Sequence, residues 1–177
     1  MLLLNDNLYI MKTIEVLRRL INIYYYLLLF VLVGIIIFIL IMIQQGETID
    51  LKIVEGYDSS SLSIQNLMII TVVPIAIYIL FVRAIYLLKG TLKDLSEGNY
   101  FSELITKNFK MIGKLILICG VCYAVFKFVT RLLLLRDIRL GIDFSLITPI
   151  IIGLFFMFLR EVITKARLTE QENNLTI

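Results

Sequence analysis

Histidine is missing from this sequence altogether, which removes the commonest general base and metal ligand at neutral pH and with it most hydrolase, zinc and haem chemistries. Charge is scarce as well. Only 18% of the residues are charged while 60% are hydrophobic, against roughly 25% and 45–50% in an ordinary soluble domain. A soluble fold of this size cannot hide that excess, because a small domain keeps about a third of its unfolded surface exposed. The surplus Leu, Ile, Val and Phe therefore faces lipid. With only two prolines there is no proline-rich linker, and no internal repeat or low-complexity tract divides the chain, so it reads as one membrane domain. The formal charge of +3 is small and dispersed, with no basic stripe apart from the membrane flanks, and gives no argument for direct nucleic-acid binding.

What the sequence does contain is a set of long apolar runs. From Leu20 to Ile43 no residue carries a charge, a length sufficient at 1.5 Å per residue to cross a hydrocarbon core of about 30 Å. A second run extends from about Leu67 to Leu88, uncharged up to Val82 and then interrupted by Arg83, which can snorkel from its place near the end. The third goes from about Met111 to Thr130, with Lys114 and Lys127 near its ends. The fourth runs from about Phe144 to Ile163 and opens with Thr148-Pro149, where early placement makes proline tolerable. The expected fold is all-α and polytopic, with four transmembrane helices inside residues 20–166, a flank over 1–19 and a tail over 167–177. The first run is far longer than a signal h-region and no small-residue cleavage site follows, so it should remain as an anchor. Met11 to Arg19 looks like a natural chain start, which leaves Met1 to Ile10 as either a start-site artefact or an extension.

Basic residues orient the spans, because cytoplasmic flanks are enriched in Lys and Arg. Lys12, Arg18 and Arg19 flank the first span; Arg83, Lys89, Lys93, Lys107, Lys110 and Lys114 border the middle loop; Arg160, Lys165 and Arg167 follow the last span. Those make twelve of the 17. Lys52, Lys127, Arg131, Arg136 and Arg139 lie on the other side. Both termini are expected in the cytoplasm, with the segment Thr130 to Arg139 lying along the interface.

Few residues invite a chemical reading. Cys119 and Cys122 have the C-x-x-C spacing of a redox dithiol, but low dielectric inside a span disfavours a thiolate. A quinone-coupled disulfide oxidase needs two cysteine pairs at the outer face, so a packing role beside Gly120 is expected. Arg83, Lys127, Arg131, Arg160 and Glu161 are charges in or near spans, each within about two turns of an end, where snorkelling suffices. The first outer loop, Gln44 to Ser61, carries a strand-like stretch from Thr48 to Val54, and its acids lack calcium-loop spacing. The middle loop is better organised. Lys89 to Glu97 can prolong the second helix, Gly98 can end it in the left-handed conformation, and Ser102 can cap the next, giving a tight hairpin.

The string Leu95-Ser-Glu-Gly-Asn-Tyr-Phe-Ser102, followed by Asn108-Phe-Lys-Met-Ile-Gly113, resembles the glycine, Phe-Ser, Ile-Gly pattern of a bacterial membrane family catalogued as domain of unknown function 2975. The end of the chain, Glu170 to Ile177, is similar to that family's acidic tail finishing in Leu-Thr-Ile. The pair Asn99-Tyr100 departs from the pattern in a region expected to be shorter. The resemblance implies a four-helix protein of the bacterial inner membrane, often encoded beside a small helix-turn-helix transcription regulator, and no established activity. On that basis the expected function is non-enzymatic and regulatory, with partner-binding residues Gly98, Phe101, Ser102, Asn108 and Gly113 on the hairpin side and Glu170, Glu172, Leu175, Thr176 and Ile177 in the tail. Leu175 and Ile177 are expected to dock, either on the hairpin near Phe101 or on the partner, in a tail that composition alone would leave frayed. The alternative is a transporter or channel component using Lys127, Arg131 and Glu161. An enzyme ranks third, since no nucleophile has its base. No catalytic, cofactor or metal residue is expected; the lipid bilayer is an expected partner, and self-association stays open.

Overall fold

The structure is a computed structural model that describes residues 2–45, 64–100, 102–135 and 144–175. Among these residues there are four helices and no strand: α1 (Leu2–Gln45), α2 (Ile64–Ser96), α3 (Glu103–Leu135) and α4 (Phe144–Leu175). All four are long and apolar enough to cross a membrane, and in lipid a helix is the one local structure that satisfies every backbone polar group within its own segment. Each is also longer than a span requires. α2 and α3 have 33 residues each, and about 20 suffice. The surplus therefore extends beyond the hydrocarbon.

The helices form an open row. α1 packs on α2, α2 on α3 and α3 on α4, and among the described residues no other pair is in contact. Neighbours are antiparallel, because Arg18 meets Ser96 while Leu28 meets Tyr78, and Gly113 meets Gly153 while Gly120 meets Pro149. The start of the described part of α1, the α2–α3 turn and the C-terminal turns of α4 consequently share one end, called here the hairpin end.

The three interfaces differ in kind. Between α3 and α4 the backbones nearly touch: a Cβ added at Gly113 would lie 2.7 Å from the Gly153 carbonyl oxygen, and one at Gly120 would lie 2.7 Å from the Pro149 Cβ. Small residues allow such approach, and in lipid close van der Waals packing replaces the hydrophobic effect as the cohesive force. Between α2 and α3 lies the buried core of Ala84, Ile105, Phe109, Ile112, Leu115 and Ile116. Phe109 also reaches across to α4, its ring 5.8 Å from that of Phe156. α1 is the loosest member. It buries Leu28 against Val82 and Ile85, while Ile23, Leu27, Phe30 and Leu40 face outward.

Two expectations need correction. Cys119 is buried, with its thiol 3.6 Å from the Ile77 carbonyl oxygen, but Cys122 is exposed, so only one cysteine belongs to the packing face. The tail does not leave the helix after Arg167, because α4 stays helical to Leu175. The strand-like stretch over 48–54 lies outside the described residues.

Candidate functional site

The turn at the hairpin end is built by its own hydrogen bonds. Gly98 has φ of 85°, its N–H donates to Leu95 O at 3.2 Å, and Asn99 N–H donates to Asp94 O at 3.1 Å. This pair of bonds is the Schellman closure of a helix, and it requires a residue that tolerates the left-handed region. Ser102 then starts α3, its Oγ accepting from Ile105 N at 3.2 Å, which satisfies one of the donors that a helix start leaves open. Glu97, Gly98, Asn99 and Tyr100 are exposed. The hairpin is thus an ordered projection.

Beside it, on the α1 side, a cleft of about 690 Å³ opens between α1 and α3 with α2 as its floor. It exists because α1 rests on α2 alone and does not reach α3. Arg18, Arg19 and Asn22 come from α1, Lys89 and Lys93 from α2, and Asn108 from α3. Helical geometry explains the convergence, since residues four apart share a face: Arg18 with Asn22, Lys89 with Lys93, and Leu104 with Asn108. Arg18 Nη1 donates to Ser96 Oγ at 2.8 Å, and Ser96 Oγ in turn donates to Lys93 O at 2.6 Å. The Lys89 ammonium lies over the Tyr25 and Tyr26 rings, 5.0 and 4.8 Å from their centroids. Both sets of partners are neutral, so neither contact cancels the charge. Arg19 pairs with Glu15 at 2.7 Å and Lys93 approaches Glu97 at 3.9 Å, both at exposed positions where an ion pair contributes at most about 1 kcal/mol.

The residues singled out from the sequence divide among three places. Gly98 and Ser102 form the turn, and half-buried Asn108 lines the cleft. Gly113 sits apart, buried against Gly153 and Met157, where it serves helix packing and offers no surface to a soluble partner. Glu170 and Glu172 are exposed on the last turns of α4. Phe101, Thr176, Ile177 and the side chain of Leu175 lie outside the described residues, and with them the docking expected near Phe101. The charges weighed as a polar path do not converge: Lys127 lies toward the far end of α3 and Glu161 toward the hairpin end of α4, roughly 30 Å apart along the row at 1.5 Å per residue. The side chain of Arg131 lies outside the described residues. Among the described residues no group of three His, Cys, Asp or Glu is placed to hold a metal ion.

Sequence reasoning missed the cleft. Arg18, Arg19, Lys89 and Lys93 entered it only as markers of topology, and the i,i+4 spacing of Lys89 and Lys93 beside the tyrosine run Tyr24 to Tyr26 was the available signal.

Comparison with curated proteins and with solved structures finds no match. The family model described as Protein of unknown function (DUF2975) matches residues 12–177. Because that match takes in all four membrane-spanning helices and the turn between α2 and α3, this chain belongs to the DUF2975 family.

Proposed function

We propose that this multi-pass membrane protein is a non-enzymatic regulator of the bacterial inner membrane whose hairpin end faces the cytoplasm and binds a soluble partner, a small helix-turn-helix transcription regulator. One observation carries the reading: α2, α3 and α4 all continue as helix past their apolar runs at the same end. There they present an ordered turn with exposed Glu97 to Tyr100 beside the exposed acidic turns of α4. Helix extended past the bilayer and fixed by a Schellman closure and a serine cap supplies a rigid surface, and docking on a rigid surface loses less conformational entropy than docking on a loop. The basic residues around the same end support the cytoplasmic orientation.

Membrane sedimentation of the co-expressed regulator tests this. With the full chain the regulator should sediment with membranes, and removing residues 175–177 or replacing the exposed Asn99 and Tyr100 with Arg should return it to the soluble fraction at unchanged abundance of the membrane protein. A regulator that stays soluble beside the full chain overturns the proposal, as does sedimentation that ignores both variants.

A further inference from the structure

From the cleft between α1 and α3 we infer a second site, independent of the partner reading: a binding site for the phosphate of an anionic phospholipid headgroup from the adjoining leaflet. Four cations, Arg18, Arg19, Lys89 and Lys93, line one concavity of about 690 Å³ together with the amide side chains of Asn22 and Asn108. Guanidinium and ammonium groups are the groups of choice for phosphate oxygens, the planar guanidinium binding two at once. Amides supply further donors for headgroup hydroxyls. Among the described residues Arg18 and Lys89 contact a hydroxyl and tyrosine rings and pair with no carboxylate.

The source of the phosphate follows from where the cleft sits. Its apolar wall is Leu87 and Leu104 with Tyr86, and Tyr86 and Leu104 are exposed. Tyr25, Tyr26 and Tyr86 cluster at the same level, with Tyr25 and Tyr86 centroids 5.9 Å apart. Tyrosines gather where headgroups meet hydrocarbon, and a basic pocket between transmembrane helices at that level suits a lipid headgroup whose acyl chains lie along the neighbouring apolar faces. A free phosphate would use the cations but not the wall.

The test uses the purified full chain in mild detergent, with phosphatidylglycerol, phosphatidylcholine and inorganic phosphate offered in separate arms and bound lipid read by native mass spectrometry. Phosphatidylglycerol should be retained in preference to phosphatidylcholine and should resist displacement by excess inorganic phosphate. Each cation near the surface gives roughly a fivefold gain for an anionic lipid, so Arg18→Gln with Lys89→Gln should lower retention roughly 25-fold. Lys114→Gln with Lys165→Gln removes the same charge at exposed positions outside the cleft and should leave retention unchanged. If the double variant loses helicity, Lys89→Gln alone, which breaks no hydrogen bond among the described residues, should still lower retention roughly fivefold. Equal retention of the two lipids overturns the inference, as does a cleft variant that binds like the parent. Displacement by inorganic phosphate overturns the lipid source and leaves a soluble-anion site.

Discussion

At the scale of single residues, the glycines separate two roles that look alike on paper. Gly113 has no room for a methyl group, because the nearest atom is the Gly153 carbonyl oxygen at 2.7 Å. Gly34 has nothing within 4 Å. Gly113→Ala should therefore force α3 and α4 apart and destabilise the fold by about 1–3 kcal/mol, whereas Gly34→Ala should be neutral or stabilising by up to about 1 kcal/mol. Unfolding in mixed micelles checks both, and equal effects would show that the α3–α4 approach does not matter to stability. Sequence pattern assigned Cys119 the packing role that its burial bears out but set Gly113 among the partner-binding residues, since which face of an apolar helix meets a neighbour is invisible when every face is apolar. Cys122 shows the same blindness: three residues from Cys119, it points away from the packing face.

At the scale of elements, helix ends were legible wherever a polar capping residue marks them. Gly98 and Ser102 announced the turn, and their bonds follow the expected pattern. Ser102→Ala should cost about 1 kcal/mol and speed hydrogen exchange at residues 104–106, and unchanged exchange there would remove the cap from the account. The end of α4 was not legible. Loss of apolar density after Ile163 marks the edge of the membrane, while Glu, Gln and Leu remain good helix formers, so the helix continues to Leu175. The attachment of α1 was equally hidden, because it depends on a side chain meeting a distant carbonyl. Tyr78 Oη donates to Leu28 O at 2.9 Å, and such bonds between membrane helices average about 0.6 kcal/mol. Tyr78→Phe should loosen α1 by about that amount. Cross-linking yield between Leu28→Cys and Val82→Cys should fall in consequence, and an undiminished yield would assign the contact to packing alone.

For the whole molecule, the number of spans was written in the apolar runs, but the order of the row was not. Lipid solvates every span equally well, so hydropathy carries no term for which helices meet. Orientation is the property that charge placement addresses. Asn99→Cys, at an exposed turn position, should label only after the membrane is permeabilised, and Ser59→Cys should label from outside in intact cells. The reverse pattern would turn the molecule over and move the proposed partner site to the other compartment.

The open row also bears on how the protein is made. Among the described residues every helix after the first rests on the one synthesised just before it, so no interface waits for more than the next helix. A nascent chain halted once Ser102 has emerged would already hold Tyr78, Leu28, Arg18 and Ser96, whose two hydrogen bonds join α1 to α2. Assembly can then proceed in the order of translation, each new helix closing against a neighbour that is already in place.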